Sequence, residues 1–130
     1  MINKYSFINI YEHKKKNSKL SSQILYGEKF TILKKYKDWY KIKTGYDKYV
    51  GFIRKKKFEK FAHKPTHKVS SLKANIFFKP IKNSKIKTKL SFASLLQVKT
   101  SKKAFFKFDN YWIQKSDVVP LNYKEKIFNF

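Results

Sequence analysis

A chain of 130 residues has room for one ordinary domain or two very small ones. Hydrophobic residues at 42% and aromatics at 18% supply material for a packed core, while the absence of cysteine excludes a disulfide framework, a thiolate metal site and a cysteine nucleophile within the chain. The formal net charge of +24 favours polyanions, yet Arg54 is the lone arginine among 32 basic residues, and arginine is the side chain that reads bases and grips phosphates bidentately. With abundant Ile, Asn, Phe and Tyr, the lysine excess has the pattern of an A+T-rich coding sequence. Nonspecific polyanion binding that falls steeply with salt is therefore the expected consequence of the charge. No stretch reaches the roughly 18 to 20 apolar residues of a membrane helix, so no membrane partner is expected. The opening Met1–Ser6 carries no apolar run of the signal-peptide kind, which points to the cytoplasm. Gly-x-Gly does not occur, so there is no glycine-rich phosphate loop and no cofactor is expected.

In chain order, short apolar runs appear at Phe30-x-Ile32-Leu33, Trp39-x-x-Ile42, Tyr49-Val50-Gly51-Phe52-Ile53, Ile76-Phe77-Phe78, Leu95-Leu96-x-Val98, Phe105-Phe106-x-Phe108 and Tyr111-Trp112-Ile113. β-Branched and aromatic residues dominate them, and no window sustains a helical stripe over three turns, so they predict strands. The breaks carry turn residues: Lys16-Asn17-Ser18, Tyr26-Gly27-Glu28, Lys37-Asp38, Thr44-Gly45-Tyr46-Asp47, Asn83-Ser84 and Asp109-Asn110. Many short strands at close spacing predict an all-β chain built as a small barrel or sandwich.

An internal repeat organises these elements. A shift of 66 residues lays Asn9-Ile10-Tyr11 on Asn75-Ile76-Phe77 and Asn17-Ser18-Lys19-Leu20 on Asn83-Ser84-Lys85-Ile86. It also lays Ile24 on Leu90, Tyr26 on Phe92, Phe30 on Leu96, Ile32 on Val98, and Trp39-Tyr40-Lys41-Ile42 on Phe105-Phe106-Lys107-Phe108, with no gap from Ile8 to Ile42. A six-residue deletion then brings Gly51-Phe52-Ile53 onto Tyr111-Trp112-Ile113. Lysine richness alone would not align apolar and turn positions together. The repeat predicts a first barrel over 1–61, a proline-bearing linker over 62–69, a second barrel over 70–121, and a tail over 122–130. The tail resumes an apolar pattern at Tyr123, Ile127, Phe128 and Phe130, as the first turns of a helix would. Each module is small enough for burial to be marginal.

Each module has the element order of a bacterial SH3-like barrel, and the first carries specific motifs. Ser22-Gln23-Ile24-Leu25-Tyr26-Gly27-Glu28-Lys29-Phe30 is similar to a Ser-Gln-x-Leu-x-Gly-Glu-x-Val segment. Asp38-Trp39-Tyr40-Lys41-Ile42, followed by Asp47-Lys48-Tyr49-Val50-Gly51-Phe52, is similar to an Asp-Trp segment followed by Asp-x-Tyr-x-Gly-Trp. Together they resemble the N-terminal SH3-like domain of NlpC-type γ-D-glutamyl dipeptidyl peptidases of the dipeptidyl-peptidase VI kind, which cut cell-wall peptides. In that family a second SH3-like domain follows, and then a papain-like catalytic domain.

The resemblance implies two tandem SH3-like barrels whose partner is an NlpC-type catalytic domain beyond Phe130, with peptidoglycan-derived peptides as ligand. It implies no enzyme activity in these residues, since the family's catalytic cysteine and histidines are missing. His13, His63 and His67 fall in loop or linker contexts and read as solvated side chains, and the His63-x-x-x-His67 spacing lacks a third ligand, so no metal site is expected. In the family the glutamate of Gly-Glu and the tyrosine of Asp-x-Tyr-x-Gly hold the free amino terminus of the substrate's first alanine, and these fall on Glu28 and Tyr49. A carboxylate and a phenolic oxygen in a partly dry pocket suit an ammonium. Trp39, Phe52 and Trp112 read as core. Module two has Ala93-Ser94 in place of Gly27-Glu28 and reads as a spacer or docking module. The alternatives are a standalone wall-peptide-binding adaptor and a basic, nonspecific nucleic-acid-binding β-barrel.

Overall fold

The computed structural model describes residues 1–122 except 16, 59, 61 and 62. The helical reading of Tyr123 to Phe130, and the predicted barrel-to-linker junction at Phe61 and Ala62, lie outside the described residues. The chain divides into two compact units, Met1–His63 and Lys64–Phe130. Among the described residues both are built of β-strands, with a single 3₁₀ turn at Lys115–Asp117 and no α-helix.

In the first unit, β1 (Phe7–Tyr11), β2 (Leu20–Leu25), β3 (Phe30–Lys35), β4 (Trp39–Thr44) and β5 (Val50–Arg54) form one antiparallel sheet in the order β2-β1-β5-β4-β3. Alternation sends Ile8, Ile10, Ile24, Phe30, Ile42 and Ile53 to one face, where they are buried together. Phe58 closes that core, its ring edge-on to Phe30 at 4.9 Å.

The second unit contains β6 (His67–Val69), β7 (Lys73–Phe77), β8 (Ile86–Ser91), β9 (Leu95–Leu96), β10 (Val98–Lys102), β11 (Phe105–Phe108), β12 (Tyr111–Gln114) and β13 (Val118–Pro120). Its five-stranded sheet runs β10-β11-β12-β7-β8, and β13-β6-β9 form a separate three-stranded sheet.

The 66-residue repeat survives to the level of register. Ile8 faces Ile24 as Ala74 faces Leu90, and the bulge after Ile10 in β1 recurs after Ile76 in β7. Ile32 faces Ile42 with a bulge following, as Val98 faces Phe108 with a bulge following. Tyr11 stands edge-on to Trp39 at 5.6 Å, and Phe77 stands edge-on to Phe105 at 5.8 Å. Phe30 with Ile42 becomes Leu96 with Phe108, exchanging large and small side chains, and all four are buried.

Three sequence expectations are corrected here. The sheets are open rather than closed barrels: β2 and β3 are opposite edges of the first sheet and share no ladder. The chain between them turns outward at Tyr26–Lys29 and hydrogen-bonds instead to the N-terminal segment, with Ile2 bridging Lys29 and Met1 exchanging both backbone bonds with Phe30. Residues 67–69, expected within the linker, form β6, which pairs β9 and β13. The shift carries Lys68 and Leu95 onto Ile2 and Lys29, so each repeat opens earlier than its apolar pattern shows, with a segment too short to alternate. Finally, Phe52 and Trp112 are half-buried and lie off the cores, because they alternate with Gly51 and Ile53, and with Ile113.

The turn after β2 has its counterpart after β8, with Gly27 at φ 82° and Ala93 at φ 75°. Glycine occupies that region freely, whereas an L-residue is strained there by roughly 1–2 kcal/mol. Ala93→Gly is therefore expected to stabilise the second unit by about 1 kcal/mol, read as a melting temperature several degrees higher. A fall in melting temperature would contradict the strain argument.

Candidate functional site

Two turns meet at one end of the first sheet. The first is Leu25–Glu28. The Gly27 amide donates to the Asn3 carbonyl at 2.7 Å, and the Asn3 amide donates to the Glu28 carbonyl at 3.0 Å. Asn3 is fully buried: its Nδ2 donates to the Ile24 carbonyl at 3.0 Å, and its Oδ1 accepts the Tyr5 amide at 2.8 Å. The Glu28 carboxylate folds back to accept the Leu25 amide through Oε1 at 2.6 Å, while the Glu28 amide donates to the Leu25 carbonyl. Glu28 is half-buried, and among the described residues its second oxygen, Oε2, takes no hydrogen bond.

The second turn is Thr44–Tyr49. The Thr44 amide donates to the Tyr49 carbonyl at 2.8 Å, and the Tyr49 amide donates to Thr44 Oγ1 at 2.8 Å. The same hydroxyl donates to the Asp47 carboxylate. That bond, joined by the backbone amides of Asp47 and Tyr49, holds the exposed Asp47 carboxyl below the usual carboxylate range. Lys48 takes φ 56° at the apex. Tyr49 lays its ring against the core, and a Cβ built on Gly51 would sit 3.1 Å from Tyr49 Cε1. The Tyr-x-Gly spacing thus has a local cause: residues two apart share a strand face, and a side chain in place of the glycine would press on the ring.

The Gly45 amide donates to the Lys29 carbonyl at 3.0 Å, which brings the turns side by side. The structure therefore places Glu28 and Tyr49 at the same end of the sheet, where the two share no hydrogen bond. Chemically, the end offers a half-buried carboxylate and a half-buried tyrosine.

The second unit repeats the turn with different chemistry. Ser94 stands at the Glu28 position, fully buried, and Asp109 stands at the Tyr49 position with φ 49°. The Ser94 amide still donates to the Ser91 carbonyl and the Ala93 amide to the Val69 carbonyl, so the backbone is kept while the carboxylate is not.

Other singled-out residues serve structure. Arg54 lies over the Trp39 ring at 5.2 Å, so the lone arginine is engaged in packing. The expectation of solvated histidines fails for two of the three. His63 is 5% exposed with Lys4 Nζ 3.3 Å from its Nδ1. His67 sits in β6 against Phe106 at 4.8 Å, and partial burial holds it below its ordinary value. Among the described residues no three of His, Asp and Glu gather where a metal could bind, and no helix is long and apolar enough to cross a membrane. Asn3 and the burial of His63 carry no sequence signal, since each depends on residues distant in the chain.

Comparison with known proteins gives the class to which the first unit is similar. Residues 10–58, which contain Glu28 and Tyr49, match the family model described as the bacterial dipeptidyl-peptidase Sh3 domain. The matched segment of the first unit is thus similar to the SH3 domain of bacterial dipeptidyl peptidases. The chain superposes on an NlpC/P60 family protein from Bacillus cereus with a TM-score of 0.73 at 15% identity, over 91% of this chain and 55% of that one. It therefore spans about half the length of that protein and shares its fold over that span. NlpC2 from Trichomonas vaginalis aligns over 92% of this chain and 44% of its own at 16% identity, with a TM-score of 0.35, too low to carry an argument. No curated protein sequence matches the chain.

Proposed function

We propose that the chain is the non-catalytic, tandem SH3-like part of a γ-D-glutamyl dipeptidyl peptidase system, working with an NlpC-type catalytic domain. Its first unit contributes Glu28 and Tyr49 to recognition of peptidoglycan peptides that begin with a free alanine. The observation that carries this reading is the family match over residues 10–58, which encloses both turns. The half-buried carboxylate of Glu28 and the adjoining tyrosine supply chemistry suited to an ammonium. The second unit keeps the fold but has Ser94 where the carboxylate would be, and serves as a docking module.

The test joins the chain in frame to an NlpC-type catalytic domain and measures KM for L-alanyl-γ-D-glutamyl peptides with free and acetylated amino termini. Glu28→Gln keeps an oxygen for the Leu25 amide, so the turn survives while the charge is lost. A charge-assisted bond contributes roughly 1.5–3 kcal/mol, so KM for the free peptide is expected to rise about tenfold to a hundredfold, with the acetylated peptide unaffected. Equal losses for both peptides would refute the ammonium role.

A further inference from the structure

Both backbone groups of Tyr49 close on a single residue. Its amide donates to Thr44 Oγ1 at 2.8 Å, and its carbonyl accepts the Thr44 amide at 2.8 Å. An amide only donates and an ionised carboxylate only accepts, so the roles of the Thr44 hydroxyl are fixed: its one proton goes to Asp47 and a lone pair faces Tyr49. The Asp47 carboxylate thereby sets the rotation of the hydroxyl, and the two bonds reinforce each other. Between them Lys48 stands at φ 56°, where an L-residue is strained. Such an apex persists only where its flanks are tied, and Thr44 with Asp47 ties them.

The sheet does not need this turn. In the second unit β11 and β12 are joined through Asp109 and Asn110 alone, with Phe108 facing Tyr111 as Ile42 faces Gly51 in the first. The six-residue deletion that aligns the repeats removes the counterparts of 43–48, and with them those of Thr44 and Asp47. The glutamate goes as well, since Ser94 stands at the Glu28 position, and Asp109 replaces the tyrosine. The clasp, Tyr49 and Glu28 are thus present together in one repeat and absent together in the other, while the strand pairing is common to both. The longer turn therefore goes with the candidate site rather than with the sheet.

We propose that Thr44 and Asp47 are positioning residues for Tyr49: the Asp47 carboxylate orients the Thr44 hydroxyl, and the hydroxyl fixes the Tyr49 amide and so the direction in which the ring leaves the strand. The inference rests on the reading of Glu28 and Tyr49 as the ammonium site. It gives the aspartate of Asp-x-Tyr-x-Gly a role in the turn and none on the ligand. The acceptor oxygen of Asp47 is then what matters, and its negative charge is dispensable.

The test uses the full chain, alone and joined to an NlpC-type catalytic domain as above. Thr44→Val keeps the branched shape and loses the hydroxyl, and Asp47→Ala removes the carboxylate at an exposed position, where the fold is kept. In the chain alone, each is expected to speed amide exchange at Tyr49 about tenfold. In the fusion, each is expected to raise KM for the free alanyl peptide roughly threefold to tenfold, the effect of one lost hydrogen bond, with kcat and the acetylated peptide unchanged. Thr44→Ser restores the hydroxyl and Asp47→Asn an uncharged acceptor, and both are expected to stay within about twofold of the parent in both readouts. Unchanged Tyr49 exchange in Thr44→Val and Asp47→Ala would overturn the proposal. So would faster exchange with KM unchanged while Tyr49→Phe raises it, in which case the ammonium reading stands without the clasp. A raised KM for Asp47→Asn with Tyr49 exchange unchanged would put Asp47 on the ligand and overturn the positioning role. If neither Glu28→Gln nor Tyr49→Phe moves KM, the ammonium reading itself fails, and the positioning role with it.

Discussion

Gly51→Ala is expected to lower the stability of the first unit by about 3 kcal/mol, the upper end of what overpacking costs. The added Cβ would lie 2.4 Å from Ile10 Cγ2, 3.1 Å from the Tyr11 carbonyl oxygen and 3.1 Å from Tyr49 Cε1. Ile10 is fully buried and packed among Ile8, Ile24 and Ile53, so its methyl cannot retreat without displacing the core. The Tyr49 ring would have to lift, so the disturbance reaches the candidate site as well as the fold. A unit of this size has little stability to spare, and each kcal/mol moves its melting temperature by roughly 4–8 °C. A thermal melt followed by circular dichroism checks the prediction, and a shift below about 2 °C would contradict it. The repeat supplies the contrast: Tyr111 occupies the Gly51 position in the second unit, half-buried and edge-on to Phe78 at 5.8 Å. Glycine at position 51 is therefore required by its neighbours in the first unit, Ile10 above all.

Asn3→Ala is expected to cost about 2–4 kcal/mol, because it strips partners from the Ile24 carbonyl and the Tyr5 amide in a dry environment. Each buried polar group left unpaired costs roughly 1–3 kcal/mol. The backbone bonds from Asn3 to Gly27 and Glu28 remain, but the segment that bears them loses its anchor. Faster amide exchange is therefore expected at Gly27, and at Leu25, whose amide the Glu28 carboxylate accepts. A variant whose melt and Gly27 exchange both match the parent would show that Asn3 does not hold this turn. In the second unit Val69 fills the same place, fully buried, and leaves the equivalent turn with one fewer polar anchor.

Much of this protein is legible in its residues before any coordinates. Alternation within runs such as Phe105-Phe106-x-Phe108 reports strands, because a two-residue period places one face on the core whatever the strand pairs with. The 66-residue repeat reports equal elements in equal order, because the same spacing of apolar and turn residues imposes the same ladder on both copies. Gly27 announces its turn, because an L-residue is strained at φ 82°. The Asp-x-Tyr-x-Gly spacing announces a ring over a glycine. What residues alone could not reveal are the features made by pairing across long separations. Met1–Asn3 and His67–Val69 are too short to alternate, and they become strand-like only because the turns after β2 and β8 offer them backbone partners. Phe52 and Trp112 are as apolar as true core residues, and only their parity with Gly51, Ile53 and Ile113 in the assembled sheet turns them away from it. His63 looks like a linker residue until the fold buries it beside Lys4, 59 residues away in the chain. That β2 and β3 end the order of the first sheet is likewise invisible in sequence, since only the assembled sheet defines which strands are neighbours.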